Sequence, residues 1–305
     1  MSTSPHPVLP ASGVLPASGP RVAYATCLGI EDVEMFPVLA AFARAGVHAE
    51  AAVWNDPDVD WGDFDLVLIR SVWDYILQRD EFLGWARRTA ALTRVANPVP
   101  VLERNTDKTY LRDLAEAGVP IVPTAWVAPG EELTGADWPE LVVKPTVSSG
   151  ARDTLRTTDR EEALAHVAAL TAAGRTAMVQ PYLPMVEDEG ETSLLYLGGE
   201  FSHAVRRGPM LGGGFRDVVR DPADDQLALA ERILAAVPER AELFYARVDL
   251  VRLPDGSPVL IELELTEPRL FLDLRPDGPE ALAAATVRLL AGDGNTRPQP
   301  DVSRA

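Results

Sequence analysis

Two lysines and a run of small residues carry the most specific chemical signal in the sequence. Only two of the 28 basic residues are lysines, Lys108 and Lys144, and the others are arginines. Lys144 ends a short apolar run, after which Ser148, Ser149 and Gly150 allow backbone N–H groups to approach an anion. A lysine ammonium is a compact charge on a flexible stem and suits a narrow phosphate site. We therefore predict that both lysines bind nucleotide phosphates; the alternative is two surface lysines left by drift in codon usage.

The sequence also contains a β-hairpin pattern that places charged side chains opposite each other. The runs 244–251 and 259–265 read as strands around Asp255-Gly256, a pair typical of tight hairpin turns. Because side chains alternate between the two faces of a strand, two opposed pairs share one face of this hairpin. The pairs are Asp249 with Glu262, and Arg247 with Glu264.

Three carboxylates on one face of a hairpin require a compensating cation. Directly opposed residues have Cβ atoms about 4.5–5.5 Å apart, where like charges destabilise the sheet. Oxygen ligands without histidine or cysteine suit Mg²⁺, which commonly bridges to substrate phosphates. We therefore predict that Asp249, Glu262 and Glu264 hold magnesium. The alternative is a solvent-exposed sheet face whose charges never meet.

Three arginines are expected to add positive charge around a triphosphate. With Lys144 they form the predicted catalytic set: Arg207, Arg216 and Arg247. Arg216 follows a glycine-rich stretch at 209–214, which together with the small-residue loop at 146–152 is a candidate lid. Lids of this kind exclude water from an activated intermediate.

Composition and charge exclude several functional classes. The 305-residue chain has a formal net charge of −18, whereas a general nucleic-acid binder needs a basic surface to displace counterions. No apolar run approaches the length that spans a bilayer, and the N-terminus lacks the features of a signal peptide, so we expect a cytoplasmic protein. The single cysteine, Cys27, excludes an internal disulfide and a cysteine-based zinc site. We interpret Cys27 as a small buried residue rather than a ligand-side thiol.

The order of patterns predicts an α/β (α+β) protein with three folded regions between two unstructured tails. The tail at the N-terminus repeats a Val-Leu-Pro-Ala-Ser-Gly hexapeptide, a composition that does not build a core. The aliphatic run 66–69 is typical of a parallel strand that is covered on both faces. The tails are 1–20 and 293–305, and the folded regions are 21–105, 106–183 and 184–292.

Each region has its own predicted elements. The first has strands at 22–26, 47–53 and 66–69 and a helix at 32–45. The second has a helix opened by Thr106 or Asp107 as N-cap and stopped at Gly118, then strands at 122–127, 141–145 and 177–180 and a helix at 159–173. The third has strands at 191–197 and 200–207 joined by Gly198-Gly199, a helix at 223–236, and the charged hairpin.

A polar and aromatic cluster follows the strand at 66–69. Ligands of open α/β sheets bind outside the carboxyl ends of the strands, so this cluster is expected to contact the substrate. Its predicted substrate residues are Arg70, Ser71, Asp74 and Tyr75. The alternative is a surface loop packed by two aromatic rings. No Gly-x-Gly-x-x-Gly follows the first strand, which argues against a dinucleotide.

The order of these parts resembles the ATP-grasp superfamily over residues 21–290. The resemblance implies an N-terminal open parallel α/β domain, a small lid-like α+β subdomain and a C-terminal antiparallel-sheet subdomain. It also implies that Lys108 and Lys144 hold the phosphates of ATP and that Glu191 meets the ribose. The adenine would be lined by a connector at 180–183, with Gln180, Tyr182 and Leu183. The last metal strand in the superfamily usually reads Glu-x-Asn, whereas this chain has Glu264 in place of the Asn.

Three segments resemble a bacterial branch that includes the ligase closing the D-cycloserine ring from an O-ureido-serine precursor: 70–75, 202–205 and 262–268. This resemblance implies an ATP- and Mg²⁺-dependent ligase that acts on a small amino-acid-like substrate through a phosphorylated intermediate. Two other functions remain open: a small-molecule kinase on the same scaffold, and a non-catalytic nucleotide-binding protein. We expect neither nucleic acid nor membrane as a partner, and a homodimer is the default oligomeric state.

Overall fold

A computed structural model describes residues 19–208 and 216–292, and three sheets organise this part of the chain. The predicted glycine-rich loop at 209–214, the tail at 293–305 and the first 18 residues of the other tail lie outside the described residues. Each sheet falls within one of the three regions predicted from the sequence. The exact boundaries of those regions remain a prediction.

The first sheet is parallel and four-stranded, with order β2-β1-β3-β4. Every residue of β3 is buried because this central strand is covered on both faces, as its aliphatic run predicted. Its elements are β1 Arg21–Thr26, α1 Met35–Arg44, β2 His48–Val53, β3 Leu66–Ser71, α2 Arg79–Ala90, β4 Arg94–Ala96 and α3 Val99–Asn105.

The second sheet is antiparallel, with order β5-β8-β6-β7. Helix α5 packs on one face of it. The N-cap of this helix is Asp159, whose carboxylate accepts hydrogen bonds from the amides of Glu161 and Glu162. The other face is left open toward the third sheet. The elements are α4 Tyr110–Glu116, β5 Ala125–Val127, β6 Leu141–Pro145, β7 Leu155–Thr157, α5 Arg160–Ala172 and β8 Ala177–Pro181.

The third sheet is also antiparallel, with order β11-β10-β9-β12-β13. The predicted diglycine turn joins β9 to β10, and Gly198 and Gly199 both have positive φ, 61° and 81°, as a tight hairpin turn requires. The elements are α6 Met185–Asp188, β9 Glu191–Leu197, β10 Glu200–Arg207, β11 Val218–Val219, α7 Asp224–Ala235, β12 Tyr245–Arg252, β13 Pro258–Glu264 and α8 Gly278–Gly292.

The charged hairpin has the predicted register where it matters. Asp249 pairs with Glu262 and Arg247 pairs with Glu264 across β12 and β13. A bulge follows between Asp249 and Leu250 and shifts the remaining pairs by one residue. The four charged residues therefore share a face, while the turn side of the hairpin follows a different register.

The prediction for the start of the helix near Lys108 was wrong. Thr106 is the C-cap of α3, and Asp107 accepts a hydrogen bond from the amide of Thr109, 3.0 Å away, which closes a local turn before α4 begins at Tyr110. Lys108 thus lies in a short turn between two helices. Its amide donates to the carbonyl of Thr146 over 2.9 Å, which ties this turn to the loop after β6.

Asn97 joins the first sheet to the third. Its side-chain amide donates to the carbonyls of Tyr245 and Leu265, each at 2.8 Å, and its Oδ1 accepts from the amide of Phe244 at 2.6 Å. Asn97 is completely buried, so these backbone groups have no access to water in its place. The two sheets are also joined by an apolar cluster that includes Phe42 and Leu195.

Asn97→Ala is expected to lower the free energy of unfolding by about 3 kcal/mol, because it leaves several buried backbone groups without a partner. Urea unfolding followed by circular dichroism measures this change. Glu132→Ala, at an exposed loop position, is the control and should stay within about 0.5 kcal/mol of the wild type. If Asn97→Ala lowered the free energy of unfolding by less than about 0.5 kcal/mol, as an ordinary surface change does, this role would be contradicted.

Candidate active site

A cavity of about 710 Å³ lies between the open face of the second sheet and the charged face of the third. The segment that follows β3 and the loop after β13 complete its wall. All of the residues predicted to bind the nucleotide line this cavity: Lys108, Lys144, Ser148, Ser149, Gly150, Gln180, Tyr182, Leu183 and Glu191. The fold thus brings residues that are distant in the sequence to one cavity.

Lys108 connects the two sides of the cavity. Its ammonium donates to the carbonyl of Ser148 at 2.7 Å and forms an ion pair with Glu262 on β13 at 3.0 Å. Burial by itself disfavours the charged form, but the attraction of Glu262 outweighs it and raises the pKa of Lys108. Lys108 is therefore a fixed positive charge at neutral pH.

Lys144 points into the cavity because β6 alternates. Leu141, Val143 and Pro145 are buried on the α5 side, whereas Val142 and Lys144 line the cavity. Burial lowers the pKa of Lys144, and the carboxylate of Glu262 offsets this only in part. An added anion would stabilise the charged form of Lys144.

One end of the cavity is apolar. Val122, Leu183 and Val186 form a small buried cluster there, and Ile261 packs against it. Tyr182 beside it is held by Arg156, whose guanidinium lies 3.4 Å from the ring centroid, and by a hydrogen bond of 2.7 Å from its hydroxyl to Glu187. A flat apolar wall next to polar backbone suits a purine ring.

Asp249 is buried beside the cavity and does not line it. It is 1% exposed and accepts hydrogen bonds from Ser193 at 2.6 Å, Arg207 at 3.0 Å and Arg247 at 2.9 Å. Burial alone would raise the pKa of Asp249, but the two guanidinium groups lower it. Arg247 also pairs with Glu264.

The structure does not bring the three predicted magnesium ligands together as one set. Across residues 19–208 and 216–292, no group of three or more His, Cys, Asp or Glu side chains is placed to hold a metal ion. Each carboxylate pairs instead with a cation of the chain: Asp249 with Arg207 and Arg247, Glu262 with Lys108, and Glu264 with Arg247. Glu262 and Glu264 line the cavity, whereas Asp249 does not.

Two carboxylates of the cavity nevertheless lie close to other carboxylates. Burial, together with Glu262 and Asp249, raises the pKa of Glu264 to about 7 despite its pairing with Arg247. Burial and the nearby Glu264 raise the pKa of Glu267 to about 8. Both side chains would gain from a divalent cation in the cavity.

Three of the four predicted substrate residues do not reach the cavity. Arg70 is 2% exposed and pairs with Glu34 at 3.0 Å, and Ser71 bonds Thr26 at 2.8 Å between their hydroxyl oxygens. Strand β3 extends to Ser71, so both side chains are covered by neighbouring elements. Asp74 accepts a hydrogen bond from the Trp54 indole at 2.8 Å and does not line the cavity either. Only Tyr75 does.

Two of the three predicted catalytic arginines line the cavity. Arg207 and Arg247 line the cavity, and Arg207 lies 3.4 Å from the carboxylate of Glu191. Arg216 is exposed and does not line it. It is therefore not part of the site in this structure.

Comparison with known proteins identifies the family. Over 283 residues the chain is 38% identical to the cycloserine biosynthesis protein DcsG of Streptomyces lavendulae, covering 85% of this chain and 94% of that protein. The chain belongs to the DcsG family. Residues 22–97 match the family model for the N-terminal domain of D-cycloserine synthetase DcsG. The crystal structure of D-cycloserine synthetase DcsG matches with a TM-score of 0.80 and 36% identity, over 88% of this chain and 99% of that one.

The fold extends beyond the DcsG family. A RimK domain ATP-grasp protein from Sphaerobacter thermophilus matches with a TM-score of 0.63 at 21% identity, over 88% of this chain and 99% of that chain. The predicted ATP-grasp architecture is therefore confirmed. Because the chain belongs to the DcsG family and matches D-cycloserine synthetase at 36% identity, it is an ATP-dependent ligase. Within the described part of the chain, no helix has the length and apolar character that crossing a membrane requires.

Several residues of this DcsG-family site were missed in the sequence. Trp73 and Glu267 lie inside segments that had been singled out, and the indole of Trp73 donates to the carbonyl of Glu267 at 3.1 Å. An acidic residue three positions after Glu264 was a signal that could have been used. Arg269 and Phe271 follow that segment and line the cavity, but in an arginine-rich chain neither stands out.

Glu267→Gln is expected to flatten the pH dependence of stability. The unfolded chain loses the Glu267 proton near the ordinary pKa of 4.5, whereas the folded protein keeps it up to about 8. The folded state therefore binds more protons in this window, and wild-type stability falls as the pH rises through it. Below pH 4.5 Glu267 is protonated in both states, so this loss of stability is absent there. The melting temperature of the protein without nucleotide or metal, measured from pH 5 to 8.5, should fall less in the variant.

Glu132→Gln, at an exposed carboxylate, is the matched control for this measurement and should follow the wild-type curve. A Glu267→Gln curve as steep as that of the wild type would show that Glu267 does not carry a raised pKa.

Proposed function

We propose that this DcsG-family ligase closes a five-membered ring on an O-ureido amino acid, as in D-cycloserine formation. The observation that carries the proposal is the single cavity shared by both lysines, the charged hairpin and the segment that follows β3. Its lining divides into an apolar end, a cationic middle and an aromatic and acidic end. These three parts suit the adenine, the phosphates and a small amino-acid-like substrate.

ATP is proposed to lie along the cavity with its purine against Tyr182, Leu183 and Val186. Glu191, at the start of β9, would accept hydrogen bonds from the ribose hydroxyls. Lys108 and Lys144 would hold the α- and β-phosphates, and the loop with Ser148, Ser149 and Gly150 would cover them. Lys144 approaches from β6 of the second sheet and Lys108 from the turn between α3 and α4, while Arg207 and Arg247 lie on the third sheet.

The carboxylates that line the cavity fit a magnesium ion. Mg²⁺ usually keeps several waters and is held by one or two carboxylates together with substrate phosphates. Glu262 and Glu264 would provide those carboxylates, and the burial and neighbouring carboxylates that raise the pKa of Glu264 support a cation there. Bound Mg²⁺ would neutralise charge on the transferred phosphoryl group. Asp249 would act through Arg207 and Arg247, which it orients, rather than as a ligand in the state described here.

The reaction is proposed to have two steps. First, a carboxylate oxygen of the substrate attacks the γ-phosphorus of ATP, ADP leaves, and an acyl phosphate forms. The ureido nitrogen bonded to the side-chain oxygen then attacks the acyl carbon and loses its proton, and inorganic phosphate leaves as the ring closes. Formation of the free ring also requires hydrolysis of the carbamoyl group from that nitrogen, as carbon dioxide and ammonia. Lys144, Arg207 and Arg247 would stabilise negative charge on the transferred phosphoryl group. This chemistry depends mainly on positioning, which a cavity between two sheets provides.

The substrate is proposed to bind beside the segment that follows β3. Trp73 and Tyr75 give this end of the cavity aromatic walls, and Glu267 gives it a carboxylate suited to an ammonium group. The Nε of Arg269 is buried without a hydrogen-bond partner among the described residues, so a substrate carboxylate would satisfy it. Tyr75 is thus the one originally predicted residue that remains in the proposed substrate site.

A phosphate-release screen tests this function. The protein is incubated with ATP, Mg²⁺ and a panel of amino acids and O-ureido amino acids of both configurations, and products are identified by mass spectrometry. Ring closure predicts phosphate release together with a cyclic product. A stable phosphorylated product would favour the kinase alternative. ATP binding without turnover of any member of the panel would favour a non-catalytic protein.

Lys144→Met is expected to lower kcat by at least about 100-fold, because it removes a preorganised positive charge from the phosphate site. Steady-state phosphate release measures the loss, and a thermal melt confirms that the variant is folded. Arg88→Met, on the exposed side of α2, is the control for loss of a basic residue and should keep wild-type kcat. Unchanged turnover in Lys144→Met would remove this lysine from the mechanism.

Glu262→Gln is expected to raise the Mg²⁺ concentration for half-maximal activity by at least about tenfold. The reason is that the amide supplies a weaker ligand and also leaves Lys108 without its partner. Calorimetric titration with ADP gives a second readout: Mg²⁺ should tighten ADP binding to the wild type much more than to the variant. An equal effect of Mg²⁺ on both proteins would place the metal elsewhere.

A further inference from the structure

The segment 269–272, here called the Phe271 segment, is held in place from several elements. Arg247 on β12 donates to the carbonyl of Arg269 at 3.2 Å, and His203 on β10 lies 3.0 Å from the carbonyl of Leu270 through its Nε2. Because a carbonyl only accepts, His203 must carry its proton on Nε2. The third contact comes from the N-terminal region of the chain.

Glu34 holds the backbone of this segment. Its Oε1 accepts a hydrogen bond from the amide of Leu272 at 2.9 Å, and its Oε2 accepts from the amide of Leu270 at 3.3 Å and from Arg70 at 3.0 Å. Both oxygens face donors only, so the site requires a carboxylate. Glu34 and Arg70 are each 2% exposed, which excludes water as a substitute partner.

The residue between the two held amides has an unusual conformation. Phe271 has a φ of 52°, in the left-handed region that a bulky residue rarely adopts. Such a conformation persists only where the surroundings impose it, and the amides on either side are the groups that Glu34 binds. Glu34 therefore fixes the direction in which the Phe271 side chain leaves the backbone.

Three guanidinium groups surround the Phe271 ring at the cavity wall. The Cζ of Arg269 lies 4.6 Å from the ring centroid, that of Arg247 5.6 Å and that of Arg207 5.8 Å. Cations within about 6 Å of an aromatic centroid are attracted to its face. The ring thus allows three like charges to gather where a negatively charged ligand would bind.

We infer that Glu34, with Arg70, is a positioning residue of the ligase: it holds the Phe271 ring against Arg207, Arg247 and Arg269 and so sets the arrangement of cations at the phosphoryl-transfer site. Neither Glu34 nor Arg70 lines the cavity. The inference rests on the proposed placement of the phosphates. It gives Arg70 a role different from the substrate contact predicted for it.

The effect of Glu34 should fall on kcat. The side chains proposed to contact the adenine, Tyr182, Leu183 and Val186, contact none of the three guanidinium groups around Phe271. Of these groups, Glu191 pairs with Arg207 alone, so ground-state binding of ATP is largely kept. Charge that develops on the transferred phosphoryl group depends on the three guanidinium groups. A small displacement of such groups is costly for the transition state.

The first test combines exchange and kinetics on the full-length protein. In Glu34→Gln the side-chain N–H group faces a backbone amide or Arg70, and these groups are donors themselves. The hydrogen bonds to the Leu270 and Leu272 amides are therefore weakened, and these amides should exchange with deuterium at least about tenfold faster. The kcat for phosphate release should fall at least about tenfold, while the KM for ATP stays within about threefold. Glu239→Gln, which breaks a part-buried pair with Arg104 elsewhere, is the matched control and should change neither quantity.

The second test separates the ring from the hydrogen bonds. Phe271→Leu should lower kcat as Glu34→Gln does, while leaving the exchange of the Leu270 and Leu272 amides unchanged. Phe271→Leu also keeps the inference testable if Glu34→Gln fails to fold. Wild-type kcat in either folded variant, or unchanged exchange in Glu34→Gln, would overturn the inference. Exchange needs no substrate, so a wild type that closes no ring would count against the proposed function only.

Discussion

The structure depends on the balance of charge buried between the second and third sheets. Like charges at this separation repel strongly when water is excluded, so each must find a partner or change its protonation. Lys108 meets this constraint most directly, because it joins Glu262 on one sheet to the carbonyl of Ser148 on the other. Glu264 and Glu267 lie close to each other, and burial together with neighbouring carboxylates raises the pKa of both. A nucleotide and its cation would enter a site whose charges are already arranged for them.

Features that depend on neighbours in the sequence could be predicted. The alternation of the strands flanking Asp255-Gly256 placed the charged side chains on one face. The turn side of the hairpin, however, is offset by one residue from the predicted register, and the bulge between Asp249 and Leu250 restores the pairing of Asp249 with Glu262. The scarcity of lysine singled out Lys108 and Lys144, which the fold brings to one cavity. The strand pattern could be used in this way because backbone geometry determines which side chains of a strand share a face, whereas the bulge was not visible in the sequence.

Features that depend on distant partners could not be predicted. Arg70 looked like a substrate residue because it follows an aliphatic run, but Glu34 lies 36 residues earlier and removes it from the ligand side. Asp249 looked like a metal ligand, yet Arg207, 42 residues away, occupies one of its oxygens. The start of α4 was misplaced since Asp107 bonds within its own turn instead of capping the helix. Sequence shows which groups are polar but not which partner they take.

The N-terminal region therefore contributes more than a substrate-binding surface. Asn97 ties its sheet to β12 through backbone groups, and Tyr245 on that strand stacks on Arg70, with 5.4 Å from the guanidinium Cζ to the ring centroid. Because Arg70 pairs with Glu34, these contacts are continuous with the hydrogen bonds that hold the Phe271 segment. A buried network of this kind has few alternative arrangements, since each unpaired member would be costly. The cations of the cavity are thus positioned partly by residues that no ligand touches.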